Sequence, residues 1–231
     1  MAVITVSRQY GSGGDEISSQ VCHMLGYHQF DRRQIARAAF EAGLSEEEIV
    51  SYTEYSEESA KFKKFVGHLL RRSPKSSSQP AERLESVARK LTSEDQWYNE
   101  AHALALIQKA IKAANQHGNI LIIGRGGQMI LRDYPGVLHL RIEAPLEYRI
   151  QRVNDRLKEE QQAYYPQMEI RRAAQDLIAE RDADSASYIR RFYAADWADP
   201  YLYHAVINTA KLSVDQAAMI IVNMVNSLFP K

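Results

Sequence analysis

Two short β-branched runs, VITV at residues 3–6 and ILII at residues 120–123, each pass straight into a glycine-rich turn, RQYGSGG and GRGG. Strands this short and this apolar have no face to give to water, which predicts a parallel sheet covered on both sides. Parallel neighbours cannot be joined by hairpins and need long crossovers, usually helical. The chain supplies them. EISSQVCHMLG puts Ile17, Val21, Met24 and Leu25 at helical spacing and stops at Gly26, and YHQF then predicts a short second strand ending at Asp31. RRQIARAAFEAG predicts a further helix ending at Gly43. NEAHALALIQKAIKAANQHG aligns Ala101, Leu104, Ile107, Ile111 and Ala114 on one face, and VLHLRIEA alternates Leu138, Leu140 and Ile142. PLEYRIQRVNDRLKEE opens with Pro145 at a favourable first helical position, residues 164–193 read as a polar helix, and HAVINTAKLSVDQAAMIIVNMV closes with a strand and a helix facing the core through Ile220, Ile221 and Met224. Strands alternating with helices predict a three-layer α/β fold with a mainly parallel sheet.

The chain has 231 residues, enough for one domain with an inserted helical part. That part is expected at about residues 44–100, where polar clusters break the helical pattern and RRSPKSSSQPAERL reads as a loop. Lys+Arg and Asp+Glu both total 29, so bulk electrostatic coating of nucleic acid is disfavoured and charge has to be read locally. The single cysteine, Cys22, excludes an internal disulfide and any multi-cysteine metal site, and its helical setting suggests a small core residue. With no signal-like start and no apolar run of about 20 residues, a cytoplasmic location without membrane contact is expected.

Ligands of open parallel sheets bind at the carboxyl ends of the strands, and three stretches are expected to converge there. RQYGSGG lets backbone amides and the following helix dipole face an anion. The P-loop pattern G-x-x-x-x-G-K-[ST] would put glycine at Arg8, lysine at Gly14 and the magnesium hydroxyl at Asp15; only Gly13 fits, and a plain tight turn explains Gly11, Gly13 and Gly14 equally well. Arg125 follows a buried strand between glycines, with no apolar role there and a planar fork suited to phosphate; a structural ion pair is the alternative. ERDADSASYIRRFYAADWADP brings Arg181, Arg190 and Arg191, either a lid over polyphosphate or a solvated face paired to Asp182 and Asp184. Asp31 is either a holder of magnesium-bound water or ribose, or the N-cap of the next helix.

Taken in order, ITVSRQYGSGGDEI, FDRRQI, IIGRGGQMIL, HLRIEAPLEYRIQRV and DWADPYLYHAVINT make the chain resemble the cytidylate kinase-like family of P-loop nucleotide kinases. The resemblance implies one nucleotide kinase-like domain over residues 1–231, with an NMP-binding lobe at about 44–100 and a lid at about 164–195. It implies ATP, with Mg2+ carried by the transferring phosphates and no dedicated metal site, and transfer of the γ-phosphoryl group to a nucleoside monophosphate such as CMP. Carried onto this chain, it points to Ser7, Gly11, Ser12, Gly13, Gly14 and Asp15 for the cofactor and to Asp31, Arg32, Arg125 and Asp182 for the acceptor. It gives catalytic roles to Arg8, Arg125, Arg181, Arg190 and Arg191, with Arg8 the candidate for the cation that the loop lacks.

The chain departs from cytidylate kinases proper in having no loop lysine and in reading GRG where they read GRD. The lid pattern DR-x-R stands here as Asp182, Ala183, Asp184 and Ser185. These departures support a second expectation, a nucleotide-binding regulatory protein with little or no kinase activity. A third, an oligomerisation module, rests on Tyr52, Tyr55, Trp97 and Tyr98, and a homodimer is left open.

Overall fold

The computed structural model describes residues 2–30, 93–160 and 167–230. By internal contacts the chain divides into two compact units, residues 1–35 with 111–231, and residues 36–110. Of the second unit only residues 93–110 are described, as the first part of a long helix, so the lobe expected at 44–100 falls almost wholly outside the described residues. Asp31, Arg32, Tyr52, Tyr55 and the helix expected to end at Gly43 also lie outside them.

The first unit is built on strands β1 (Val3–Arg8), β2 (His28–Phe30), β3 (Ile120–Ile123), β4 (Val137–Glu143) and β5 (Ala205–Asn208). They form one sheet in the order β2-β3-β1-β4-β5, and every pairing is parallel. Helices α1 (Gly14–Leu25), α3 (Gly127–Ile130), α4 (Leu146–Glu160), α5 (Gln167–Tyr193) and α6 (Val214–Leu228) belong to the same unit, as do residues 111–117 of α2 (Ser93–His117). Here β1 sits centrally between β3 and β4, so the turns leaving all three strands gather at one end of the sheet.

The two faces of the sheet differ. Ile4, Val6, Leu121, Ile123, Leu138, Leu140 and Ile142 form a dry core with Ile17 and Val21 of α1 and Ala217, Ala218 and Ile221 of α6. Burial of each large side chain contributes about 1.5–3 kcal/mol, which makes this face the main stabilising layer. The opposite face of β1 and β4 is polar yet equally buried: Thr5, Ser7, His139 and Arg141 are all under 5% exposed. Such groups are tolerated only when partnered. Thr5 Oγ1 lies 2.7 Å from His139 Nδ1, and the His139 and His204 backbones close a pair of hydrogen bonds of 2.9 and 2.7 Å through His204 Nδ1 and His139 O. Arg141 donates to Glu143 and to the Trp197 carbonyl, with its guanidinium 4.3 Å from the Trp197 ring centre. The DWADP stretch is therefore a structural plug, with Trp197 7% exposed.

Helix faces follow the sequence periodicity with local exceptions. Gly26 caps α1 in the left-handed region with its N–H on Cys22 O, and Cys22 is buried, as expected of a small core residue. Met24 and Ile220, expected in the core, are instead 43% and 41% exposed, because the neighbouring positions Val21 and Ile221 take the sheet-facing slots. Helix α6 begins with a full capping box between Ser213 and Gln216. No described helix is long and apolar enough to cross a membrane.

Candidate functional site

The turn after β1 is the floor of the site. Gly11 and Gly13 both take positive φ, 78° and 81°, and Gly13 caps the N-terminus of α1. These conformations are strained for other residues. The glycines also make room for arginines. A Cβ on Gly11 would stand 2.9 Å from Val153 and 3.1 Å from Arg149 O, and one on Gly13 would stand 3.3 Å from Arg152 Nη2. A Cβ on Gly14 would stand 2.6 Å from Arg8 Cβ, a distance that side chains do not tolerate. A lysine at position 14 and Arg8 in its present place thus exclude each other.

Arg8 does not lie over the loop unopposed. Its Nε donates to Asp15 Oδ1 at 3.0 Å, and its Nη1 reaches to 3.1 Å from where a Gly124 Cβ would be. It therefore spans from the start of α1 to the end of β3. Ser12 is 1% exposed, its carbonyl accepts from Thr209 Oγ1 at 2.7 Å, and its Oγ has no partner among the described residues. Ser7 is buried beneath the loop, where its hydroxyl accepts from Trp197 Nε1 at 2.6 Å.

The turn after β3 is tighter still. Gly124, Arg125 and Gly126 take φ of 70°, 54° and 71°, a run of left-handed residues of which one is not glycine. Holding Arg125 there costs about 1–2 kcal/mol, strain of the kind that gathers at binding sites. Its guanidinium has no hydrogen-bonding or ion-pair partner among the described residues. Burial lowers its pKa, the Tyr188 phenol opposes this, and nearby Arg8 lowers it further. Two guanidiniums that repel each other across the ends of β1 and β3 form a place where an anion is stabilised.

The expected lid segment is α5. Asp182 was expected to touch the acceptor, but its two oxygens face inward: Oδ1 accepts from Tyr10 N at 2.9 Å and Oδ2 from Arg149 Nη1 at 2.6 Å. That geometry makes Asp182 a brace between the glycine loop and α4. Arg181 lies with its guanidinium 5.8 Å from the Tyr10 ring, near the loop. Arg190 and Arg191 occupy the last turn of α5 and are exposed, with Arg191 5.4 Å from the Phe192 ring. Tyr188 and Tyr193, nearby on the same helix, cover the β3 turn, and a Cβ on Gly126 would meet the Tyr193 ring at 2.7 Å.

Helix α4 was expected from the sequence, but none of its residues was assigned to the site. Arg149 is 6% exposed and donates from Nε to Ala144 O and from Nη1 to Tyr10 O and Asp182 Oδ2. Arg152 lies over Gly13 and pairs with Glu16 at 3.1 Å, and Arg156 reaches the same carboxylate at 3.8 Å. Their i, i+3, i+7 spacing in RIQRVNDR, just after β4, was the available signal. Among the described residues no three His, Cys, Asp or Glu side chains come together to hold a metal ion.

Comparison with known proteins agrees with this architecture. A family model described as "Cytidylate kinase-like family" matches residues 3–211. No curated protein matches the chain. Among solved structures, an uncharacterized protein from Eubacterium ventriosum ATCC 27560 superposes with a TM-score of 0.63 at 16% identity, covering 98% of this chain and 99% of that one, a likeness of fold. A shikimate kinase from Acinetobacter baumannii in complex with shikimate gives 0.46 at 14% identity, with 100% and 96% covered. One from Bacteroides thetaiotaomicron gives 0.47 at 11%, with 97% and 98% covered.

Proposed function

The chain belongs to the cytidylate kinase-like family, and we propose from that membership that it is a kinase moving the γ-phosphoryl group of ATP to a nucleoside monophosphate such as CMP. The observation that carries the reading is Arg125: a half-buried guanidinium in a left-handed turn, beside Arg8, with no carboxylate partner among the described residues. In this reading Arg125 holds the acceptor phosphate. The loop amides and the N-terminus of α1 hold the donor phosphates, and Arg8 and Arg152 release Asp15 and Glu16 to bind them.

The glycine cradle fits a polyphosphate, since small residues and a helix N-terminus meet there. Bound ATP supplies the phosphoryl group: an acceptor phosphate oxygen bonds to the γ-phosphorus as the bridging β–γ oxygen leaves with its electron pair as ADP. Mg2+ would be carried on those phosphates, and Asp15, where P-loops place a hydroxyl, is the oxygen donor of the first helical turn. The protein's part is to orient both phosphates and neutralise their charge. A cytoplasmic location, where nucleotides are abundant, goes with this reading.

One observation favours a second reading, nucleotide binding without transfer: Arg8 and Arg152 are already neutralised by acidic residues on α1. A coupled ADP-release assay with MgATP across CMP, dCMP, UMP, AMP and GMP separates the two. ADP release that requires one of these acceptors is expected; ATP binding by calorimetry with none of the five accepting phosphate would favour the second reading.

A further inference from the structure

Helix α5 touches both halves of the site at fixed points. Near its middle, Asp182 caps the Tyr10 amide of the glycine loop and pairs with buried Arg149, whose Nη1 also donates to Tyr10 O at 3.2 Å. Near its C-terminal end, Tyr188 Oη approaches Arg125 O at 3.5 Å and the Tyr193 ring fills the space above Gly126. The two rings meet edge to face, with centroids 6.1 Å apart. Between Asp182 and Tyr193 the helix is unbroken, a rigid rise of about 16 Å. Ile178 and Ala174, at or below 1% exposure, seat the preceding turns against Ile150 and Val153 of α4.

We propose that α5 is a strut that mechanically couples the glycine loop to the Gly124–Gly126 turn, with Asp182 as the positioning residue at the loop end and Tyr188 and Tyr193 as those at the turn end. A shift of the loop cannot be absorbed within a continuous helix, so it moves the phenols over the Arg125 turn, and the reverse holds by linkage. The bearing of this coupling on phosphoryl transfer rests on the function proposed above; the coupling itself does not.

The test is amide hydrogen exchange on the intact chain, wild type against Asp182→Asn and Tyr188→Phe, without and with MgATP. Asp182→Asn keeps the shape and an acceptor for Tyr10 while removing the charge that holds Arg149. Expected is exchange about tenfold faster at residues 124–127, remote from the substitution, with β4 and α6 unchanged; Tyr188→Phe is expected to speed exchange at residues 10–14. Changes confined to each variant's own end, or spread evenly over β4 and α6, overturn the strut. Failure of MgATP to protect the wild-type loop would count against the proposed function while leaving the reciprocal exchange pattern to decide the coupling.

Discussion

At the scale of one residue the proposed chemistry rests on Arg125, which stands in a left-handed turn, is desolvated and has the positive charge of Arg8 beside it, a setting in which a bound anion would relieve the repulsion. Arg125→Lys keeps the charge but loses the two-pronged donor, so acceptor KM is expected to rise more than kcat falls in steady-state assays. Gly126 is the complementary case. The acidic residue that cytidylate kinases carry there cannot be accommodated beside Tyr193, so Gly126→Asp is expected to lower thermal stability by about 2 kcal/mol or more, with Tyr193→Ala restoring part of the loss. His139 gives a third prediction. Burial first, then nearby His204, depress its pKa from 6.5 to about 4, against opposing hydrogen bonds to the Leu131 and Arg132 carbonyls. The unfolded chain therefore takes up the proton first. Stability is complete above pH ~6.5 and falls by about 3 kcal/mol toward pH 4, and His139→Asn is expected to flatten that part of a denaturation-versus-pH curve.

At the scale of elements, the glycine loop and Arg8 are legible together only in three dimensions. The strand, turn and helix could be read from VITV, RQYGSGG and EISSQVCHMLG, since burial and glycine placement act locally. The reason for the missing lysine could not, because it lies in the 2.6 Å approach of Arg8 Cβ to a side chain at position 14. Accordingly Gly14→Ala is expected to lower stability and weaken MgATP binding, whereas Gly14→Ala in an Arg8→Gly background, which removes the clashing Cβ, should lose less than the sum, measured by calorimetry and melting. Asp182 is a related case. The sequence shows its charge, but only packing reveals that both of its oxygens are turned toward Tyr10 and Arg149.

For the whole molecule, the parallel order β2-β3-β1-β4-β5 is what gathers the turns after β1, β3 and β4 at one end, and with them Arg8, Arg125, Arg149 and Arg152. Alternating strands and helices announced that architecture, while the polar second face, with Arg141 and Trp197 sealed beneath the loop, was hidden in residues that composition treats as surface. In the proposed function this end of the sheet transfers phosphate between two nucleotides, with Arg125 holding the acceptor. It is tested most directly by following phosphate from MgATP into the best acceptor with wild type and Arg125→Ala side by side, ATP affinity being measured on both. Expected is acceptor-dependent transfer in the wild type, reduced about 100-fold or more in the variant with ATP affinity retained. Transfer at equal rates in both proteins, or none in a wild type that binds ATP, would contradict it.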